Sequence, residues 1–172
     1  MRGGSRAREA GTRAMAAALA ALALAGCGHW GGRLDATWTG SEKGRVSGRA
    51  TAIWCPEARI ALVTGVSGDT GVSLLIHPAE SLSAGRYPIL EPGDARRTAP
   101  AAALGLRLLG RTAVVGYQGR TGTLTLEQAA PGRVSGRFEA TAKIASELAG
   151  TVKLTGRLRN VRVTGDGADC PR

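Results

Sequence analysis

The sequence predicts an all-β domain, an antiparallel β-sandwich or β-barrel of about 8–10 short strands after an N-terminal signal helix. Two observations lead to this prediction. Short runs rich in apolar and β-branched residues alternate with turn residues at a spacing of about 8–12 residues. The chain also contains 26 glycines, and threonine recurs within the runs, as is typical of pleated strands joined by tight turns.

The first predicted strands show alternation of apolar and polar residues. Residues 34–38 place Leu34, Ala36 and Trp38 on one face, and a Gly-rich turn leads into residues 45–55. Strands at 59–64 and 72–77 flank the sequence Gly68-Asp69-Thr70-Gly71, whose residues suit a hairpin turn.

The middle of the chain is less regular. Residues 78–97 hold most of the prolines outside turns and are predicted to be irregular, apart from a short strand at 87–90. An alanine cluster in residues 99–109 would suit a helix. Pro100, Gly105 and the period-two leucines favour a strand there, at 102–109.

The last predicted strands are residues 112–118, 123–127, 133–142 and 151–163. The sequence 44–49, Gly-Arg-Val-Ser-Gly-Arg, recurs at 132–137, and a looser copy begins at Gly150. Each copy is predicted to be the second strand of a hairpin, with a glycine in its middle. The unequal spacing of the copies excludes a solenoid.

Composition narrows the class of protein. Of the 172 residues, 43% are hydrophobic and 21% are charged, which are values of a globular domain rather than a disordered chain. Aromatic residues make up 3%, too few for the aromatic girdles of an outer-membrane barrel. No run reaches the ~18 apolar residues that a membrane-spanning helix needs.

The N-terminus has the three parts of a secretory signal. Four arginines and one acid, Glu9, lie in residues 1–13, and residues 14–25 are twelve consecutive apolar residues. Small residues then lead to Cys27. A basic segment, a short apolar core and small residues at the cleavage site are typical of an export signal that is removed.

Leu24-Ala25-Gly26-Cys27 resembles the lipobox of bacterial lipoproteins at all four positions. The resemblance implies a diacylglycerol thioether on Cys27, cleavage between Gly26 and Cys27, and usually one more acyl chain. The alternative is an ordinary signal peptide with a chance cysteine. The domain resembles β-rich envelope lipoproteins without a named activity.

The resemblance also gives an expected location and a division of the chain. Aspartate after the lipidated cysteine commonly retains lipoproteins on the inner membrane. Gly28 therefore implies the periplasmic face of the outer membrane, if the source has two membranes. The expected divisions are a signal peptide at 1–26, a lipidated tether at 27–32 and one all-β domain at 33–172.

The number and distribution of charged residues limit the kinds of partner that the protein is expected to bind. Removal of residues 1–26 takes away four arginines and one glutamate, and lowers the formal net charge from +10 to +7. The remaining bases lie singly along the sequence without interleaved aromatics, which argues against nucleic-acid binding. The membrane, through the lipid on Cys27, is the predicted partner. An envelope protein or an anionic polymer is a further expectation, and plain solvated strand faces are the alternative.

Cys55 and Cys170 form an even pair in an exported chain, which predicts a disulfide; two free thiols are the alternative. The sequence contains no Cys-x-x-Cys motif and no His-rich cluster, so neither a metal site nor a cofactor is predicted.

No catalytic group is predicted. Asp69-Thr70-Gly71 matches the short signature of aspartic proteases, but it occurs once, and their dyad needs two carboxylates. His77 precedes a proline and no Gly-x-Ser-x-Gly motif is present, so a strand-end histidine is favoured over a catalytic base.

The predicted function is therefore a lipid-anchored cell-envelope protein with a structural or binding role, not an enzyme. The alternatives are a carrier of a small ligand or lipid and a small hydrolase around Asp69.

Overall fold

The structure is a computed structural model that describes residues 31–110, 113–130, 132–145, 149–165 and 170. The predicted signal peptide at 1–26, its cleavage site at Gly26 and Cys27 lie outside the described residues.

The described part of the chain forms nine strands and one short helix. In chain order these are β1 (Arg33–Gly40), β2 (Gly44–Cys55), β3 (Ile60–Ser67), β4 (Thr70–His77), β5 (Gly85–Pro88), α1 (Pro92–Arg97), β6 (Ala101–Leu109), β7 (Val114–Ala130), β8 (Arg133–Ile144) and β9 (Thr151–Thr164).

Eight of the strands close into an antiparallel β-barrel, in the order β1-β2-β3-β4-β6-β7-β8-β9 with β9 pairing back onto β1. The first part of β7, Val114–Gln118, pairs with β6, and its later part, Thr123–Leu126, pairs with β5. The other edge of β7 pairs with β8 and closes the ring. Of the two architectures that the sequence left open, the barrel is the correct one.

Apolar side chains fill the inside of the barrel. Leu34, Leu74, Leu124 and Leu154 come from four different strands and are completely buried. Alternate residues on the same strands point outward and are mostly polar, so the distribution is the inverse of a transmembrane barrel, whose outer band is apolar. An eight-stranded barrel is just wide enough for side chains to fill it, and this interior is packed with side chains.

The hairpin predictions are confirmed. Gly68 and Asp69 form the turn between β3 and β4, and Gly68 has a φ of 55°. The three related sequences lie in β2, β8 and β9, each of which follows its antiparallel partner directly along the chain. The alanine-rich segment is the strand β6, as its period-two leucines predicted.

Two local predictions are wrong. The segment expected to be irregular contains the helix α1, which has Pro92 in its first turn, Asp94 near its start and Arg96 and Arg97 in its last turn. These are favourable positions for a proline and for those charges. Ala95 of α1 packs on the outside of the barrel against Ala101 and Ala103.

The second wrong prediction divided β7 into two strands, at 112–118 and 123–127. A single strand of 17 residues is observed, with register irregularities at Gly119/Thr121 and Leu126/Gln128. The glycines that suggested a turn mark a bend. A Cβ on Gly119 would lie 2.9 Å from Cγ2 of Ile89, so the strand can pass this close only with a glycine there.

Cys55, the last residue of β2, forms a disulfide with Cys170, and their Cα atoms are 5.8 Å apart. The bond therefore attaches Cys170 to the barrel wall. Within the described residues, no helix is both long enough and apolar enough to cross a membrane.

Candidate functional site

Four neighbouring strands, β8, β9, β1 and β2, carry most of the positive charge of the described residues. Asp35 and Glu139 are the acids on these strands. The bases are Arg33, Arg45, Arg49, Arg133, Arg137, Lys143, Lys153, Arg157, Arg159 and Arg162. All ten are exposed except Arg133, which is half-buried. We call the outer surface of these four strands the basic face.

The alternation of β9 shows how the sequence produces this face. Val152, Leu154 and Leu158 are buried in the barrel, while Lys153, Arg157 and Arg159 point outward from the same strand. Asn160 then adds an extra residue, with a φ of 52°, opposite the register shift in β8. After this bulge Val161 is again buried and Arg162 is again exposed.

Strand register brings these outward residues into rows that cross the sheet. We call the first the arginine row; it contains, in directly opposed pairs from β5 to β2, Arg86, Thr125, Arg137, Arg157, Asp35 and Ser47. The second, the threonine row, contains Thr123, Glu139, Thr155, Thr37 and Arg45. Directly opposed side chains have Cβ atoms about 4.5–5.5 Å apart, so each row is a continuous line of side chains.

The two rows line an open cleft of about 1100 Å³ on the outside of the barrel, together with Arg33 and Ser67. Ala36, Val46, Phe138 and Gly156 also contribute to its floor. The cleft therefore has five arginines and two acids in its lining, and its sign favours an anionic ligand.

Asp35 holds two of the arginines of the basic face in place. Its Oδ1 accepts a hydrogen bond from Nε of Arg33 at 3.1 Å, and another from the hydroxyl of Ser47. Its Oδ2 lies 3.4 Å from Nη2 of Arg159. The Ser47 hydrogen bond, followed by Arg33 and Arg159, lowers the pKa of Asp35 below its usual value, although partial burial opposes this.

Three other arginines of the cleft have no acidic partner in the part of the chain that the structure describes. Within the described residues, Asp35 pairs with Arg33 and Arg159, and Glu127 pairs with Arg137. No ion pair in that part of the structure involves the cleft residues Arg45, Arg86 or Arg157. Their guanidinium groups present planar sets of N–H donors that match carboxylate and phosphate oxygens.

The cleft also contains hydroxyl groups. Thr37 and Thr155 are hydrogen-bonded to each other through their Oγ1 atoms, 3.1 Å apart, and Thr123 and Thr125 lie further along the two rows. A hydroxyl can both donate and accept a hydrogen bond. The cleft can therefore bind a ligand that carries hydroxyl groups as well as negative charges.

Asp69 and His77, the two residues that the sequence analysis considered for catalysis, lie far apart in the structure. Asp69 is exposed in the β3–β4 turn, where its backbone carbonyl accepts a hydrogen bond from the amide of Leu109 at 2.8 Å. His77 lies at the other end of β4, about 26 Å away along an extended strand. It is buried, and burial followed by the charge of Arg96 lowers its pKa. Asp69 and His77 therefore do not belong to one site.

The grouping of the arginines was missed by sequence reasoning, which treated them as single residues. Arg33 and Arg159 are directly opposite on β1 and β9, although 126 positions separate them in the sequence. The sequence did contain one indication of this grouping: the alternation of polar and apolar residues within each strand places its arginines on the outward side.

Comparison with other proteins gives no further information about the site. Neither a protein-family model, nor a curated protein, nor a solved structure matches the chain. Among the described residues, no group of three or more His, Cys, Asp and Glu side chains could hold a metal ion.

Proposed function

We propose that this protein is a lipid-anchored protein of the bacterial cell envelope that binds an anionic envelope component through its basic face. The observation that carries the binding role is the concentration of ten bases and two acids on four adjacent strands, around an open cleft. The lipobox supports the location.

The anchor follows from the sequence Leu24-Ala25-Gly26-Cys27. Two or three acyl chains on Cys27 would give stable attachment, since each buried CH₂ contributes about 0.8 kcal/mol. Arg33 opens β1 only six residues later, a distance of at most about 22 Å in a fully extended chain. The barrel would therefore work close to the membrane, on the periplasmic face of the outer membrane where the source has one.

The charge arrangement supports binding more than a purely structural role. Like charges directly opposite each other destabilise a sheet. Arg49, Arg33 and Arg159 are nevertheless opposed in one row, as are Arg137 and Arg157 in another. An anionic partner would reduce this repulsion when it binds.

The alternative of an internal carrier receives no support from the packing. The side chains of all eight barrel strands fill the interior, and the large cleft lies on the outer surface. A ligand would therefore meet the arginine and hydroxyl side chains of the exterior.

The anchor is tested by growing cells with radiolabelled palmitate and recovering the full-length chain. The wild-type protein should carry the label, and the Cys27→Ser variant should accumulate as an unlabelled precursor that keeps residues 1–26. Continued labelling of this variant would show that the lipid is not attached at Cys27.

The binding role is tested on the purified lipidated protein in detergent. Polygalacturonate, an anionic polymer, should bind and neutral dextran should not, and added salt should weaken the binding because it screens exposed charges. The double variant Arg45→Gln/Arg157→Gln should lose affinity. The matched variant Arg59→Gln/Arg107→Gln removes the same charge from the β2–β3 turn and β6, and should bind like the wild type. Equal losses in the two variants, or no binding to any polyanion, would contradict the proposal.

A further inference from the structure

We infer that the ligand of the cleft is a linear polysaccharide that carries carboxylate or phosphate groups and lies across the strands. This inference rests on the proposed function and specifies its ligand. Three properties of the cleft carry it: its length, the spacing of its arginines and its hydroxyl groups.

The cleft has the shape of a track for a linear chain. The arginine row runs from Arg86 on β5 to Ser47 on β2 and crosses six strands. Neighbouring strands are about 4.8 Å apart, so the row is about 24 Å long, measured along the sheet. The threonine row runs beside it, two residues further along each strand, and the pair of rows forms a band of side chains with parallel sides.

The spacing of the arginines suits repeated anionic groups. Arg86 and Arg137 are two strands apart, Arg137 and Arg157 are on adjacent strands, and Arg45 is two strands beyond Arg157. The intervals within the arginine row correspond to about 10 and 5 Å, and the last interval, which also moves two residues along the strand to the threonine row, corresponds to about 12 Å. A polymer with an anionic group on each repeating unit would therefore meet several guanidinium groups at once.

The hydroxyl groups lie between the arginines. Thr125 stands between Arg86 and Arg137, while Thr155 and Thr37 stand between Glu139 and Arg45. These side chains can donate to, and accept from, the hydroxyl groups of a sugar, and Glu139 can accept from them as well. A polymer without hydroxyl groups would leave these positions unused.

Two other polyanions fit the cleft less well. Binding of single-stranded nucleic acid uses aromatic platforms for the bases, but Phe138, the aromatic residue in the cleft lining, is only 3% exposed. Binding to a lipid bilayer commonly uses apolar side chains that insert into it. The exposed large apolar residues Val66, Leu109 and Val114 are not part of the cleft lining.

The inference is tested with the full-length lipidated protein in detergent. The probes are oligogalacturonates of increasing length, inorganic polyphosphate, neutral dextran, duplex DNA and phosphatidylglycerol vesicles. We expect affinity for oligogalacturonate to rise with length until the oligomer spans about 24 Å and then to level off. Inorganic polyphosphate carries anionic groups but no sugar hydroxyl groups, so it should bind more weakly than oligogalacturonate of equal length. Tighter binding of polyphosphate would contradict the polysaccharide assignment.

Two double variants separate the cleft from the rest of the basic face. Arg137→Gln/Arg157→Gln removes two arginines that line the cleft, whereas Lys143→Gln/Lys153→Gln removes two charges on β8 and β9 outside its lining. The first should weaken oligogalacturonate binding at least about tenfold, because charge-assisted hydrogen bonds are lost. The second should weaken it less than about threefold. Arg137→Lys/Arg157→Lys keeps the charge and should fall between them.

The other outcomes are also decisive. Equal losses in the two glutamine variants would overturn the cleft assignment and leave the proposed function of the basic face intact. Failure of every polyanion to bind would overturn both. DNA or anionic vesicles could bind more tightly than oligogalacturonate, with an affinity that Arg137→Gln/Arg157→Gln does not change. This result would overturn the polysaccharide assignment alone. Urea unfolding of each variant checks that the fold is retained.

Discussion

Arg157 of β9 lies directly opposite Arg137 of β8 on one side and directly opposite Asp35 of β1 on the other. Asp35 nevertheless pairs with Arg33 and Arg159, and Arg137 pairs with Glu127. Arg157 is thus left beside a like charge, at the centre of the arginine row. A side chain in this position adds little to the stability of the barrel and is available to a ligand.

The first prediction concerns the stability of Arg157 variants. Replacing Arg157 with Gln removes a like-charge contact, so the free energy of unfolding should stay the same or rise by up to about 0.5 kcal/mol. Urea unfolding at low salt measures this. Arg159→Gln is the comparison variant. It also removes an opposed like charge, that of Arg33, but it takes away an ion pair with Asp35 as well and should not stabilise the protein. A loss above about 1 kcal/mol in Arg157→Gln would assign the residue a structural role.

The second prediction concerns Asp35. Asp35→Asn removes the negative partner of Arg33 and Arg159 and should destabilise the barrel by about 1 kcal/mol at neutral pH. Because its folded-state pKa lies below the usual 3.8, the charged carboxylate stabilises the folded state above that pH. This contribution is lost as the pH falls below 3.8, through the folded-state pKa.

The measurement is urea unfolding of the wild type and Asp35→Asn across the acid range. The difference between the two free energies of unfolding should be largest at neutral pH and should shrink in acid. A difference that does not change with pH would show that the Asp35 carboxylate contributes through packing rather than through its charge.

The third prediction concerns His77. Burial, and then the charge of Arg96, lower its pKa below 6.5, so the folded state favours the neutral ring. The unfolded chain then binds more protons than the folded one as the pH falls below 6.5, and stability should decrease between neutral pH and about pH 5.

His77→Gln should remove this part of the pH dependence, whatever its effect on stability at neutral pH. The unfolding midpoints of both proteins at neutral and acid pH measure the difference. An equal acid-induced change in the variant would place the titrating group elsewhere.

The fourth prediction concerns the disulfide between Cys55 and Cys170, which are 115 positions apart. Reduction should lower the free energy of unfolding by about 2–4 kcal/mol, since the bond restricts the unfolded chain. The double variant Cys55→Ser/Cys170→Ser should show the same loss, and dithiothreitol should not change it further. Equal stability of the oxidised and reduced proteins would mean that the bond does not hold the barrel together.

The strands were largely predictable from the sequence because their signals are local. Alternation placed Leu34, Ala36 and Trp38 on one face, and the Gly68-Asp69 turn was recognisable from its own residues. The Cys55–Cys170 pair was predicted because the expected lipid on Cys27 would leave these two cysteines as an even pair. The prediction was wrong where a glycine is compatible with either a turn between two strands or a bend within one strand. At Gly119 the strand β7 bends and does not end.

The closure of the barrel and the basic face could not be predicted because both depend on pairing between distant strands. The sequence of β8 alone does not indicate that Arg137 lies opposite Arg157 of β9, or that the other edge of β8 pairs with β7. A one-residue shift of register would turn every side chain of a strand to the other side of the sheet. The alternation within one strand therefore indicates that an arginine faces outward. Which other arginines lie beside it depends on how the strands of the complete barrel pair.

The claim that the basic face is the binding surface is tested most directly by chemical footprinting of arginines. Phenylglyoxal modifies exposed guanidinium groups, and mass spectrometry reports each site with and without bound oligogalacturonate. We predict that the ligand protects Arg137 and Arg157, while Arg59 and Arg107, which are exposed elsewhere on the barrel, react as before. Protection of Arg59 and Arg107 with continued reaction of Arg137 and Arg157 would contradict this claim.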